Sequence, residues 1–381
     1  MLRRNLVELT VRPGPPARPC CIAAEIDGTE YGVGKPWTFI SGEIKPGEQL
    51  MTGPASAKVG AMAERDGDGW IRCDQGHRHW GRFGAAGLLA YVPAEDGPAD
   101  DGAAAVLLQR RGWWVHHPGT WGPPGGAMDS HESAVAAALR EAAEECGLPP
   151  DEVSVGGVLR DDHGGWAYQT VIAAAGSRLP VRSDSAETSD VGWFSAAEIG
   201  RLALHPGFAG QWPLLRTALV PLTVIVDVAN VMGSRADGWW RDRAGAAVRL
   251  HGELAALAER GVPALPASVP APALERWFPA FVLVLEGAAR AALGDLPAQP
   301  AASAGLPLAG MQPAGPPETG PPGPGRIRAV AAAGSGDDLI ADLAARLPGS
   351  RLVVTADREL RDRCMAAGAS VAGPSWLLGL L

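Results

Sequence analysis

The chain has 381 residues, 46% of them hydrophobic, and a net charge of −9. It is long enough for two or three domains with cores of their own, and its acidic balance argues against non-specific nucleic-acid binding by the whole chain, which depends on neutralising phosphates. Five scattered cysteines (Cys20, Cys21, Cys73, Cys146 and Cys364) form no C-x-x-C pair, which argues against an oxidised framework or a four-cysteine zinc site.

No apolar run approaches the about 20 residues of a membrane span. The start "MLRRNLVELTVRPG" lacks the apolar stretch of a signal peptide, so a soluble, cytoplasmic protein without a membrane partner is expected. Lysine occurs only at Lys35, Lys45 and Lys58, and with abundant Ala, Gly and Pro this suggests a GC-rich genome. Alanine is therefore weak evidence for helix here.

Residues 1–65 mix short apolar runs with turn signals such as "IDGTEYGVGKP" and read as an extension of uncertain fold. Next comes "RCDQGHRHWGRFGAAG", Arg72 to Gly87. Cys73, His77 and His79 can furnish three zinc ligands, with a fourth required from elsewhere in the chain; the alternative is a polar loop entering the following strand.

From Gly84 to Arg111, strand-length apolar runs alternate with Gly, Pro and Asp turns. "GGAMDSHESAVAAALREAAEECGL" then reads as an amphipathic helix. Asp129 and Glu132 form a capping-box-like start, and Val135, Ala138, Leu139, Ala142 and Cys146 form the apolar stripe. Glu141, Glu144 and Glu145 fall within about 100° on one side of that stripe, at the end where the helix dipole already repels anions. Converging carboxylates suit a hard divalent ion such as Mg²⁺ or Mn²⁺, completed by substrate phosphates. The tight "WGPPGG" turn offers a backbone that can approach an anion or ligate metal through the carbonyl of Gly126. The plainer reading is a solvated acidic face on which Arg140 and Glu144 pair.

Gly126, then Glu132, then "REAAEECGL" (Arg140 to Leu148) is similar, at every Gly, Glu and Arg position, to the box that defines the Nudix hydrolase superfamily. The likeness extends over about Gly84 to Thr217, and Pro123 and Ala142 stand where relatives usually have larger aliphatic residues. The resemblance implies an α/β/α sandwich with a mixed sheet and Mg²⁺-dependent hydrolysis of a nucleotide or nucleoside diphosphate derivative. It implies that Glu141, Glu144 and Glu145 hold metal, that Arg140 and Glu132 brace loop and helix, and that a box glutamate or Glu187 is the base. Trp166, Tyr168, Trp193 and Trp212 are candidates to stack on a base, or to serve as core; His205 and Arg216, in "LHPGFAGQWPLLR", are candidates to cap and pair.

Three strands and a short helix are expected between Val153 and Leu202. At "PLTVIVDVANVMG" the pattern changes to buried strand, acidic turn, helix. The helical stretch Trp239 to Arg260 follows, and the theme repeats around "AFVLVLEG", "IRAVAAAGSGDDLIADLAARL" and "RLVVTADRELRDRCMAAGASVAG". Such alternation argues for a parallel sheet covered on both faces. Acids stand where strands end: Asp227, Glu286, Asp337, Asp338 and Asp357. Ligands of open parallel sheets bind at those ends, and paired cations held there can cleave phosphodiesters.

"DVAN", "DD" and "TAD" resemble the NYN/PIN-like nucleases, with a Rossmann-like fold. That resemblance implies Asp227, Asp337 or Asp338, and Asp357 as metal ligands, Asn230 as a phosphate or metal contact, and RNA as a partner, guided by Arg235, Arg241, Arg243 and Arg249. The same Asp and Asn residues also suit helix capping. The expected domains are 66–219 (Nudix) and 220–381 (NYN/PIN-like), the latter broken by a disordered Pro/Gly-rich insertion at 294–325. The contrasting function is a nucleotide-sensing binding protein in which one or both domains are inactive.

Overall fold

The computed structural model describes residues 66–94, 105–297 and 327–381. The expectation for residues 1–65 and nearly all of that for the Pro/Gly-rich insertion lie outside the described residues. The first residues of the insertion are ordered: Asp295 and Leu296 donate backbone N–H groups to the carbonyl of Ala292, and Leu296 packs on the core.

An antiparallel hairpin of β1 (Trp70–Arg72) and β2 (Arg78–Trp80) leads into a mixed sheet. Its central strands are β3 (Ala85–Val92), β4 (Ala105–Arg111), β7 (Val153–Asp162) and β8 (Ala167–Ala175). β3 runs parallel to β8 and antiparallel to β4, and β7 antiparallel to β8. Short strands β5 (Trp121–Gly122) and β6 (Gly125–Ala127) pair with β4 and β3, and β9 (Thr188–Ser195) pairs with β4.

The strand period of two divides the apolar residues between two faces. Leu88, Ala90, Leu107, Val171 and Ala173 pack against α1 (Ala134–Cys146). Leu89, Tyr91, Val106, Leu108 and Ile172 face α2 (Ala196–Ile199) and α3 (Pro206–Leu215).

A second, all-parallel sheet has strand order β13 (Ile327–Ala331), β12 (Ala280–Leu285), β10 (Leu222–Asp227), β14 (Ser350–Val354), β15 (Ser370–Ala372). Ile225, Val282, Val284, Val330 and Val353 pack against α6 (Gly336–Arg346) and α7 (Arg358–Ala366). Val224, Val226, Phe281, Leu283 and Leu352 face α4 (Val228–Gly233), α5 (Arg243–Arg260) and α8 (Pro374–Leu378). Helices therefore cover both faces, as the unbroken apolar strands require.

Two local readings change. The helix expected from Trp239 is a short 3₁₀ turn at Trp239–Arg241 followed by α5, because Asp242 caps the true start by accepting the N–H of Gly245 at 2.8 Å. Glu286 opens a 3₁₀ helix over Gly287–Gly294, not an α-helix.

The two sheets share one core. Leu89, Tyr91 and Ile172 belong to the same apolar cluster as Leu222, Leu250 and Leu283. β11 (Arg276–Trp277), from the C-terminal half, pairs antiparallel with β7 at Gly157 and Val158. Gly157 permits this approach, since a Cβ there would meet Leu274 Cδ1 at 2.6 Å.

Candidate active site

Helix α1 begins one turn later than the Asp129–Glu132 motif suggests. Ser133 is the N-cap, its Oγ accepting the N–H of Ala136 at 3.2 Å. The Asp129 carboxylate is instead committed to the N–H of Gly67, while Glu132 Oε2 accepts the N–H of Asp129 at 3.1 Å. The motif thus fixes the loop before the helix. At the other end Gly147 turns left-handed (φ 65°), and Gly147 and Leu148 return N–H bonds to Ala143 and Ala142.

The buried face of α1 is Ala134, Ala137, Ala138, Glu141, Ala142, Glu145 and Cys146, with Val135 and Leu139 only partly buried. The expected stripe is therefore rotated, and two carboxylates lie on the inner face. Small alanines bring the helix close to the sheet, and the close approach traps the acids against β6. A Cβ on Gly126 would lie 2.7 Å from the Glu141 carboxylate, and one on Gly125 would lie 2.4 Å from the carbonyl of Ala86. Gly125 requires glycine because the clash is with backbone, and a side chain at Gly126 would displace the Glu141 carboxylate.

One cation organises most of this charge. The Arg140 Nε and Nη2 donate to the two oxygens of Glu132 at 2.7 and 2.8 Å, Nη1 to Glu141 Oε1 at 2.7 Å and Glu144 Oε2 at 3.4 Å, and Nη2 also to the carbonyl of Ala127 at 3.2 Å. The fork to Glu132 is the bidentate geometry of strong ion pairs. It holds the Glu132 carboxyl below its ordinary range and the guanidinium firmly charged.

Glu145 has a different environment. Its Oε2 accepts the N–H of Gly125 and the Nε2–H of Gln109, both at 2.8 Å, and it is 7% exposed. Burial first, then repulsion from Glu141 and from Glu187, pushes its pKa up to about 8 despite those two donors. Gln109 is itself fixed, its Oε1 accepting from Thr188 Oγ1 at 2.6 Å. It was missed in the sequence although a glutamine directly after the apolar run "AVLL", still within strand β4, is a signal for a buried polar contact.

Tyr168 sits beside these carboxylates: its hydroxyl fills the space over Gly87, where a Cβ would meet it at 2.1 Å. Glu187 is exposed in the turn before β9. Trp166 is elsewhere, stacked on His79 at 3.9 Å with its Nε1–H on the carbonyl of Gly81. Trp212 is buried in the core on the α2 and α3 face, and Trp193 packs against the core on the α1 face with Nε1–H on the Leu179 carbonyl, so neither is presented for stacking. His205 caps α3 through Nδ1. Trp113 and Trp114, 78% and 54% exposed in the loop after β4, are the aromatic faces that the sequence reading passed over.

In the parallel sheet Asp227, Asp337, Asp357 and Glu286 stand at the carboxyl ends of the strands, and burial together with repulsion from the other three acids pushes the Asp337 carboxyl up. Asp227 is also an N-cap: Oδ1 accepts the N–H of Asn230 at 3.0 Å, and Oδ2 accepts Asn230 Nδ2 and Thr355 Oγ1, each at 2.8 Å. Asp357 caps α7, and Glu286 Oε2 accepts the N–H of Gly336. Asp338 is directed away and pairs with Arg363 at 2.7 Å. The Asn230 amide bridges Asp227 and the N–H of Ala356. Of the arginines, Arg235 pairs with Glu253 and Arg243 stacks over Trp239.

The family model of the NUDIX domain matches residues 95–218. A Mycobacterium tuberculosis protein named "Putative 8-oxo-dGTP diphosphatase 3" is 46% identical over 167 residues, covering 42% of this chain and 72% of that protein. The chain belongs to the Nudix family. As such it is a hydrolase of phosphoric anhydride bonds. A Bifidobacterium longum protein, "Nucleoside triphosphate pyrophosphatase/Nudix hydrolase fusion protein", is 34% identical over 182 residues, 46% of this chain and 37% of that one. Among solved structures, the Nudix hydrolase RenU of M. smegmatis is 42% identical, covering 39% of this chain and 93% of its own, with a TM-score of 0.36. Among the described residues no helix is long and apolar enough to cross a membrane.

Proposed function

We propose that the chain is a divalent-metal-dependent pyrophosphohydrolase of a nucleotide or nucleoside diphosphate derivative, working at the glutamates of α1. The observation that carries the reading is Glu145, a buried carboxylate pushed up to about 8 beside Glu141 at the negative end of a helix. Such a carboxylate at neutral pH calls for a proton or a cation. The donors fit a hard ion: Glu141, Glu144 and Glu145, with the Gly126 carbonyl, offer only oxygen, as Mg²⁺ or Mn²⁺ prefers. When bound, such an ion supplies charge neutralisation for the diphosphate and polarises its phosphorus–oxygen bonds.

The chain's own residues do the rest. Arg140 fixes Glu141 and ties the helix to Glu132 and the loop carbonyl of Ala127. Gly125 and Gln109 set the orientation of Glu145. Glu145 or the exposed Glu187 accepts the proton of the attacking water. Tyr168, with Trp113 and Trp114, offers ring faces to a base.

The name of the M. tuberculosis relative makes an oxidised purine nucleoside triphosphate the first substrate to test. A panel of 8-oxo-dGTP, ADP-ribose, a dinucleotide polyphosphate and capped RNA, with Mg²⁺ and chromatographic identification of products, decides the class. Tight nucleotide binding without turnover of any member would establish the sensing protein instead.

For the C-terminal sheet we propose a second acidic centre of the PIN-like kind, at Asp227, Asp337 and Asp357 with Glu286, acting on single-stranded RNA. The mutual repulsion felt at Asp337 supports it. The absence of RNA cleavage with Mg²⁺ or Mn²⁺, together with no ion bound to these acids in calorimetry, would reduce the acids to helix caps.

A further inference from the structure

We propose that Cys73, His77, His79 and His163 form a closed zinc site that fastens the β1–β2 hairpin to the turn between β7 and β8. One ligand atom from each of the four lies within 4.8 Å of all the others. A tetrahedral zinc with bonds of about 2.0–2.3 Å spaces its ligand atoms by about 3.3–3.8 Å, so small rotamer shifts complete the geometry. The spacing of Cys73, His77 and His79 supplies three ligands from one hairpin, two in its turn and one on β2; the fold supplies the fourth, about ninety residues later along the chain.

Two nitrogens mark the centre. His79 Nε2 and His163 Nδ1 are both buried and have no hydrogen-bond partner. Buried polar atoms are rarely left so, and a lone pair aimed at a cation removes the anomaly. The other nitrogen of His163, Nε2, lies 3.4 Å from Asp161 Oδ2. A carboxylate on the far nitrogen is the usual way in which a metal-bound imidazole is oriented. Asp161 is steadied in turn by Gln211 Nε2 at 2.8 Å.

The scaffold is assembled for the same purpose. Cys73 donates its N–H to the carbonyl of His77 and Gly76 donates to that of Cys73, closing a tight turn through Gly76 at φ 83°. Asp74 N–H bonds the carbonyl of Gly164, joining this turn to the His163 turn. The Trp166 ring, nearly parallel to His79 at 9°, fixes that imidazole. Cys73 is buried. One thiolate and three imidazoles select zinc over magnesium, and four protein ligands leave no open position, so the role is structural. The turn between β7 and β8 and the segment that follows the hairpin line a cleft at Arg82, Phe83, Arg160, Asp162 and Trp166, beside the proposed ion.

The test uses the full-length protein, stripped with a chelator and reconstituted with Co²⁺. We expect one equivalent of cobalt to give intense tetrahedral d–d bands and a thiolate-to-cobalt charge-transfer band, and one equivalent of zinc to abolish both. Cys73→Ser should remove the charge-transfer band, His163→Gln should weaken metal affinity at least about 10-fold, and Glu145→Gln should leave the spectrum unchanged. Should Cys73→Ser fail to fold, His163→Gln and competition by zinc against cobalt in the wild type carry the same test. No thiolate band in the wild type, or a band that survives in Cys73→Ser, overturns the proposal. A spectrum that vanishes in Glu145→Gln instead would assign the ion to α1 and overturn it equally.

Discussion

The chain carries two groups of acids that look alike in sequence and differ in their surroundings. On α1, Arg140 threads between Glu132, Glu141 and Glu144 and neutralises part of the charge, while Glu145 is pressed into the core with only neutral donors. At the end of the parallel sheet, Asp227 and Asp357 are each occupied by a helix N-terminus, and Asp338 is drawn off by Arg363. In the first group burial pushes up the carboxyl of Glu145, which caps no helix; in the second it pushes up that of Asp337, beside acids that serve as caps. A carboxylate that satisfies a cap has a structural reason to exist without a metal; Glu145, at the carbonyl end of its helix, caps nothing and has only the neutral donors of Gly125 and Gln109 to set against its burial.

The sharpest way to break this contrast is Glu145→Gln. It should lower nucleotide hydrolysis by about 10³-fold, on the scale of the several kcal/mol that a positioned ion supplies, while thermal melting of the metal-free protein is unchanged or raised. Full turnover in this variant would show that the first group is no more catalytic than a cap. The counterpart is Asp227→Asn. Cleavage of single-stranded RNA should be lost and nucleotide hydrolysis retained, with a stability cost of about 1 kcal/mol from the altered cap and the bonds to Thr355 and Asn230; parallel assays of both activities on one preparation check it.

Arg140→Ala tests the compensation itself. Removing the cation leaves partly buried carboxylates facing one another, so chemical denaturation should show a loss of about 2–3 kcal/mol, with hydrolysis reduced about 10-fold or more. If the fold instead tolerates the change, the ion pairs of α1 are solvated surface pairs of little consequence.

The smallest effect is on pH dependence. The Glu145 pKa rises from an ordinary 4.5 to about 8 in the folded, metal-free state. Its stabilising contribution is therefore complete below about pH 4.5 and is lost as pH rises through about 8. We expect denaturation in the presence of chelator to show a decline on the order of 1–2 kcal/mol across that window, once water penetration discounts the full shift. The decline should be absent from Glu145→Gln and suppressed by Mg²⁺.

Local rules made much of this legible. The strand runs from Gly84 to Arg111 and Val153 to Ala175, the helix ending at Gly147 and the alternation after Pro221 follow from periodicity and capping, which depend on neighbours within a few residues. The box spacing likewise singles out Gly126, Glu132 and the three glutamates as candidates from the residues alone.

What local rules leave open is which face of an alanine-rich helix turns inward, because alanine suits core and surface alike. Packing rotated α1 so that Glu141 and Glu145 became buried. Contacts between distant segments were equally beyond reach. Gln109 against Glu145, the short β11 joining β7, the divergence of Asp338 from its neighbour Asp337, and His163 arriving beside Cys73, His77 and His79 all depend on how sheets and loops close in three dimensions. Most elements and their chemistry are written in the chain, since short-range sterics and hydrogen bonds set them. Which charges lost their water and which side chains met was settled in three dimensions, since desolvation and long-range contact belong to the packed core.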